Sequence, residues 1–353
     1  MRSLPPSLWP RLWWLECDLP WPPISDAEVD RFIKRVAAEE MLALLEAAEN
    51  VPSNIVAVLS GYRALLRLMQ RRSERLHNVT IDVCGKLADE PCILLKGADY
   101  RYELYASPDL RPMRDIDVLV TFSRMDDIER LLEKQNLVRI FPGGAITRVA
   151  GHHERSFVGA DFAIDLHHSF VQRSRHSVDY DSIFRERQQF RIGNVTTSRM
   201  SPVHSIVAHC LMMARDEYVV PMRSYLDLWL LLERHGEHLS ESARLAAHWR
   251  CERAFYSSLE LLSQMFPESK EMVRSTNARV LSAPTRWYLD RMVLPDARRA
   301  FRQRGRAIRI WRKLNLLDTP YHLARFGADH LHSALAGLNL ERRRRVDTVE
   351  RRE

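Results

Sequence analysis

The sequence predicts an α+β fold: a small mixed β-sheet flanked by helices, preceded by N-terminal helices and followed by a helical C-terminal region. Two observations predict it. Apolar residues recur at helical spacing before residue 91 and after residue 200, and short β-rich segments lie between these limits. At 353 residues, the chain is long enough for one large or two medium domains. We divide it into a Trp- and Pro-rich segment with helices (1–90), a core (91–200), a helical region (201–340) and a basic tail (341–353).

Composition restricts the class of protein. Apolar residues make up 46% and charged residues 28% of the chain, which is typical of a folded globular protein. The five cysteines include no CxxC pair, which argues against a disulfide framework and against a cysteine-rich zinc site. No apolar run is long enough to span a membrane, and the N-terminus lacks the apolar stretch of a secretory signal. We therefore expect a cytoplasmic protein without a membrane partner.

The formal net charge is +7, and much of the basic excess lies late in the chain. Arginines are frequent between residues 298 and 313, and Arg342–Arg345 form a continuous run. These basic helices could bind RNA or a protein partner, because clustered positive charge attracts polyanions. The commoner explanation of such a run is a solvated helix face followed by a frayed tail.

The first predicted elements are helical. Apolar spacing predicts a helix that begins at Asp26 and a second, long helix from about residue 54 to residue 83. The pattern changes at Pro91. Cys92–Leu95 is a short, wholly apolar run, which is typical of a strand buried on both faces.

The remaining elements of the core alternate between strand and helix patterns. In chain order we predict a helix over 98–105, a strand over 115–120, a helix over 125–135, strands over 137–141, 146–150, 155–159 and 162–167, and a small hairpin within 190–197. From Ser201 the chain is helical, because Ser201-Pro202 supplies a suitable N-cap and first helical position. The predicted helices cover 202–216, 222–235, 240–251, 253–266, 284–294, 298–316 and 320–338.

Acidic side chains lie on two of the predicted strands. Asp115 and Asp117 alternate with apolar residues, so both point to the same side of their strand. Asp165 and His167 share one side of a later strand in the same way. If the two strands are neighbours, three carboxylates converge, and cations must then offset their repulsion. Such hard oxygen ligands suit Mg²⁺ or Mn²⁺, and three of them could hold two ions for a phosphoryl displacement.

Basic side chains lie close to these acids in the sequence. Lys96-Gly97 stands where a strand turns into a helix, which suits phosphate binding because glycine allows close approach of the backbone. Arg111 and Arg114 would place guanidinium groups beside the acids, where they could neutralise a triphosphate or pyrophosphate. The alternative is structural: an ordinary strand–helix turn, and solvated acids paired with these arginines.

The sequence leaves more than one role possible for two further residues. His167 could orient a carboxylate, contact substrate, or simply be a hydrogen-bonded strand histidine. Asp227 lies on an apolar helix, so we expect a buried, paired acid that supports the site.

At this point the sequence resembles a known family. The run ILLKGADYRYELYASPDLRPMRDIDVLV is similar to the signature of the uncharacterised nucleotidyltransferase family within the DNA polymerase beta-like superfamily. That signature is a strand ending in Lys-Gly, a helix closing on Tyr, an Arg, and Asp-x-Asp followed by apolar residues. The matching residues here are Lys96, Gly97, Tyr105, Arg111, Asp115 and Asp117. The stretch IDLHHS, with Asp165 and His167, resembles the third acidic strand of the family, and His209 and Asp227 fall in a helical segment that resembles one of its own.

The resemblance implies a nucleotidyltransferase fold and its reaction, in which an acceptor attacks the α-phosphate of an NTP and pyrophosphate leaves. It implies that Asp115 and Asp117 hold both metal ions and that Asp165 completes one metal site. The sequence departs from the wider superfamily at Gly97-Ala98, where Gly-Ser is usual, so Lys96 and backbone N–H groups would have to hold the phosphates.

The acceptor could be a small molecule, a peptide or protein side chain, or RNA. Two other functions fit the same residues. One is a catalytically silent protein that binds nucleotide or RNA in the same cleft. The other is an enzyme of the toxin–antitoxin type that modifies a partner protein.

Overall fold

The computed structural model describes residues 25–38, 40–48, 51–134, 137–140, 154–159, 162–171, 175–218, 220–274, 281–292, 318 and 321–322, and all structural statements concern these residues. Several predictions from the sequence fall elsewhere. The strand over 146–150, the helix over 298–316, nearly all of the helix over 320–338 and the basic tail lie outside the described residues.

Helices precede the sheet in the described part of the N-terminal region. They are α1 (Asp26–Ala38), α2 (Leu42–Ala47), α3 (Ser53–Ser60) and α4 (Arg63–Lys86). The single long helix predicted from residue 54 to residue 83 is therefore wrong.

The chain turns at Gly61 and Tyr62, between α3 and α4. Their amide groups donate to the carbonyl groups of Val58 and Leu59, three residues earlier, at 3.0 and 2.8 Å. This tight turn ends α3, which packs with α1 in one hydrophobic core, while α4 continues into a second core against the sheet.

The sheet is mixed, as predicted, and a short helix follows each of its first two strands. The elements are β1 (Cys92–Leu94), α5 (Gly97–Glu103), β2 (Ile116–Val120), α6 (Met125–Glu133), β3 (Val138–Ile140), β4 (Glu154–Val158) and β5 (Ala163–His167). The strand order is β1-β2-β5-β4-β3, in which β2 and β5 are parallel and the other neighbours antiparallel. The two strands that carry the acidic residues are therefore direct neighbours.

The rest of the described chain is a small hairpin followed by helices. Its elements are α7 (Tyr180–Arg185), β6 (Gln188–Ile192), β7 (Val195–Arg199), α8 (Pro202–Arg215), α9 (Met222–His235), α10 (Leu239–His248), α11 (Glu252–Met265), α12 (Lys270–Arg274) and α13 (Ala283–Met292). The hairpin and the four helices from α8 to α11 match the sequence prediction closely, whereas the short α7 and α12 were not predicted. None of the described helices combines the length and apolar character needed to cross a membrane.

The sheet separates two hydrophobic cores. Ile116, Val118 and Val120 of β2 pack with buried residues of α4 and α6. Leu119 packs in the other core, with the N-terminal helices and α8–α11. Because side chains alternate along a strand, Asp117 shares the face of Leu119. The acidic residues thus lie at the margin of the larger, helical core.

Candidate functional site

The parallel pairing of β2 and β5 builds the site. In its register Asp117 lies opposite Asp165, and Leu119 lies opposite His167. Matched positions on neighbouring strands point to the same face, so Asp117, Asp165 and His167 lie side by side. One ligand atom from each of the three lies within 4.8 Å of the others.

Asp117 is the centre of this group and is only 4% exposed. Its Oδ1 accepts a hydrogen bond from Lys96 Nζ at 2.7 Å and lies 2.7 Å from His167 Nε2. Burial opposes ionisation, but the charge of Lys96 and the hydrogen bond from His167 outweigh it and hold the pKa of Asp117 well below its usual range. Both contacts use Oδ1, so within the described residues Oδ2 has no hydrogen-bond partner. Asp117 is therefore an anion with one oxygen available to a ligand.

Lys96 reaches Asp117 from an unusual backbone conformation. Its φ is 48° and its ψ is −125°, in the left-handed region that side chains other than glycine rarely adopt. Such a backbone conformation lowers the free energy of unfolding by roughly 1–3 kcal/mol, and it persists only where surrounding contacts fix it. Here the carbonyl of Lys96 accepts from the amide of Tyr100 at 2.7 Å, and the preceding amide, of Leu95, donates to the carbonyl of Asp117 at 3.0 Å.

The other two acids differ in position. Burial and the charge of Asp117 raise the pKa of Asp165, and a hydrogen bond from Ser156 opposes the shift. Asp115 immediately precedes β2, and burial together with the charge of Asp117 raises its pKa to about 6. Asp115 is not one of the three residues within 4.8 Å. The structure thus brings Asp117 and Asp165 together with His167, and the charges of both acids raise the pKa of Asp115.

His167 is almost completely buried and lies between two carboxylates. Its Nε2 faces Asp117, and its Nδ1 lies 3.5 Å from Glu154 Oε2. Glu154 stands opposite His167 in the antiparallel pairing of β4 with β5. Sequence reasoning did not place Glu154 beside His167, because only the register of that pairing identifies the contact.

Arg111 forms a buried ion pair with Asp227. Its Nε and Nη2 lie 2.9 and 2.8 Å from the two oxygens of Asp227, which also accepts a hydrogen bond from the Tyr105 hydroxyl at 2.8 Å. Burial opposes the charge on Arg111, but the charge of Asp227 raises the pKa of Arg111 above its ordinary value. Asp227 is thus the buried, paired acid that the sequence indicated.

The same guanidinium group explains the glycine at position 97. A Cβ on Gly97 would lie 2.8 Å from Arg111 Nη1, which is too close for a real contact. Arg111 therefore lies against the Lys96-Gly97 turn, and its Nε and Nη2 groups donate to Asp227. These contacts give Arg111 a supporting position, and its role in phosphate binding stays a prediction.

Arg114 is the predicted phosphate-binding residue that the structure places furthest into solvent, with a side chain 68% exposed. It pairs with Glu40 at 2.7 Å, and Glu40 also pairs with Arg223. Arg223 donates to the carbonyl of Pro112 at 2.9 Å. These contacts tie the segment before β2 to the N-terminal helices and to α9.

Gly97→Ala tests whether the contact with Arg111 explains the glycine. We expect a loss of roughly 1–3 kcal/mol in the free energy of unfolding, because Asp227 prevents Arg111 from moving aside. Urea unfolding would measure it. Gly85→Ala is the matched control, since its Cβ would lie 3.6 Å from Val195 Cγ2, an ordinary contact, and helix stability should be kept or improved. Equal stability of the Gly97→Ala protein and the wild type would contradict this explanation.

The fold and the site together define a class of protein. The structure sets two carboxylates on parallel neighbouring strands of a mixed sheet, beside a strand–Lys-Gly–helix turn, which is the arrangement that the sequence resemblance implies. The chain belongs to the family described as uncharacterised nucleotidyltransferase, whose sequence pattern matches residues 25–267. The family resemblance found in the sequence is thereby confirmed.

Comparison with solved structures finds an antigenic nucleotidyltransferase-like protein from Paracoccidioides brasiliensis. The two chains are 14% identical, with a TM-score of 0.39 over 61% of this chain and 97% of that one. The comparison with curated proteins finds no match.

Proposed function

We propose that this protein is a divalent-metal-dependent nucleotidyltransferase, which transfers a nucleotidyl group from an NTP to an acceptor and releases pyrophosphate. The observation that supports it best is the register of β2 and β5, which sets Asp117 opposite Asp165 and beside His167. Family membership supports the same reaction class.

The donor atoms fit a divalent cation. Asp117 offers Oδ2, Asp165 offers a second carboxylate, and His167 offers a ring nitrogen within the same 4.8 Å group. Asp115 supplies a further carboxylate next to them. Carboxylates suit Mg²⁺ and Mn²⁺ alike, and an imidazole ligand favours Mn²⁺. A bound ion would offset the negative charge of the triphosphate and of the departing pyrophosphate.

The residues of the chain would hold the nucleotide in place. The side chain of Lys96 is 28% exposed, and its amine can move from Asp117 to a phosphate oxygen once another cation neutralises that acid. Arg111 acts as a positioning residue, because its guanidinium group lies against the Lys96-Gly97 turn. Glu154 lies 3.5 Å from His167 Nδ1 and orients that ring beside Asp117.

Asp165→Asn tests this function. The wild-type protein would be incubated with each α-labelled NTP, Mg²⁺ or Mn²⁺, and cell extract, and the label followed in small-molecule, RNA and protein fractions. We expect label in one fraction, and roughly 100-fold less with Asp165→Asn, because a metal ligand is lost. Asp89→Asn, at an exposed position outside the site, is the matched control and should transfer label normally. Label in no fraction, or equal label from wild type and Asp165→Asn, would overturn the proposal.

A catalytically silent nucleotide-binding protein is the second candidate. The contact of Lys96 with Asp117 favours it, since that amine already neutralises the acid without a metal ion. Nucleotide binding that is independent of divalent ions, with no label transfer, would support this candidate. Label in the protein fraction would instead point to modification of a partner protein.

A further inference from the structure

An open cavity of about 750 Å³ lies between α4 and one end of the sheet. One wall is α4, which contributes Arg71, Arg72 and Arg75. The opposite wall is formed by residues at the end of β4 and at the start of β5, including Phe162 and Ala163. Neither the sequence motifs nor the proposed metal site account for three arginines at this place.

Two features place the cavity near the acidic residues. Ala163 and Asp165 lie on the same side of β5 and are two residues apart, or about 6.6 Å along the strand. On the other wall, Arg72 Nη2 donates to the carbonyl of Arg114 at 2.9 Å, and Arg114 immediately precedes Asp115. The cavity therefore opens at the start of β2 and β5, where the carboxylates are.

The charge of the cavity indicates an anionic ligand. The three arginine side chains are exposed, and in the described part of the chain neither Arg71 nor Arg72 has an ion-pair partner. Arg71 and Arg75 are four residues apart, on one face of α4, and both line the cavity. Planar guanidinium forks match phosphate oxygens. Leu68 and Phe162 add apolar surface for the rest of a ligand.

The strand order separates this cavity from the nucleotide turn. Lys96 follows β1, on one flank of the Asp117–Asp165 pair, whereas Ala163 and Val158 belong to β5 and β4, on the other flank. Two substrates could therefore approach the carboxylates from opposite sides.

We propose that the cavity binds the phosphate group of the acceptor, so that the acceptor is a phosphate ester: an RNA end or a phosphorylated small molecule. The inference rests on the proposed function. In the reaction, a hydroxyl oxygen of the acceptor forms a bond to the α-phosphorus. The bond from that phosphorus to the bridging oxygen breaks, pyrophosphate leaves with the electron pair, and the hydroxyl proton passes to solvent.

The double variant Arg71→Ala/Arg72→Ala tests the inference in the full-length protein. Two probes separate the sources of phosphate: a fluorescein-labelled ten-nucleotide oligouridylate, followed by anisotropy, and ribose 5-phosphate, followed by calorimetry. We expect one of them to bind the wild type and to lose at least about tenfold in affinity in the variant. For the oligonucleotide, the slope of affinity against salt should also become shallower by roughly one to two.

Arg63→Ala/Arg67→Ala is the matched control. It removes the same charge from exposed positions of the same helix that do not line the cavity, so its affinity should equal that of the wild type. Binding of neither probe to the wild type, or equal losses in both double variants, would overturn the inference. So would a similar loss of affinity for a non-hydrolysable NTP analogue, since the cavity would then hold the donor. The probe measurements use no metal ion and no NTP, so their failure is distinct from a failure of label transfer.

Discussion

Asp117→Asn is expected to lower nucleotidyl transfer by at least about 10³-fold, the loss typical of removing a central electrostatic group from an active site. Asp117 joins the three parts of the site: Lys96 Nζ and His167 Nε2 both lie 2.7 Å from its Oδ1, and Asp165 stands opposite it. An asparagine side chain has the same shape as the aspartate side chain but carries no negative charge. Single-turnover transfer of α-labelled NTP measures the rate, and electron paramagnetic resonance of Mn²⁺ measures metal affinity, which should fall in parallel.

Two controls make this result specific. Circular dichroism should show that Asp117→Asn folds, because the amide oxygen of the introduced side chain would still accept a hydrogen bond from Lys96. Asp89→Asn removes an exposed carboxylate outside the site and should transfer at the wild-type rate. An Asp117→Asn protein that keeps more than about a tenth of the wild-type rate would exclude Asp117 from the chemistry.

Arg111→Met is expected to have the largest effect on folding, a loss of about 3–5 kcal/mol in the free energy of unfolding. The substitution leaves the charge of Asp227 buried, with that residue only 1% exposed and the Tyr105 hydroxyl as its remaining described side-chain donor. Urea unfolding at fixed temperature measures the loss.

The double variant Arg111→Met/Asp227→Leu shows whether the unpaired charge is the cause. Removing both charges should restore most of the lost stability, since two apolar side chains then replace the pair. The Lys96-Gly97 turn would still lack its supporting guanidinium, so affinity for an NTP analogue should stay low. A double variant as unstable as Arg111→Met would show that the packing of Arg111, and not its charge, stabilises this region.

The side of each strand on which the acids lie could be predicted from the sequence. Asp117 and Asp165 alternate with apolar residues, and alternation fixes the face whatever the rest of the fold does. Their adjacency needed the strand order, because β2 and β5 are separated by β3 and β4 along the chain. The family resemblance supplied that expectation, which the periodicity alone could not.

The supporting contacts could not be predicted. Arg111 and Asp227 are 116 residues apart, so no local spacing shows that they meet. The sequence predicted phosphate binding for Arg111 and close approach of a ligand for Gly97, but it did not show that the two residues lie against each other. The break at Gly61 was missed for a similar reason, because apolar spacing continues through the turn that separates α3 from α4.

The backbone conformation of Lys96 lowers the stability of the fold. Glycine would adopt the same torsion angles freely, but it has no ammonium group to set against Asp117. Position 96 therefore has a backbone conformation that lowers the stability of the fold, and in exchange its ammonium group pairs with Asp117, a combination that is common at functional sites.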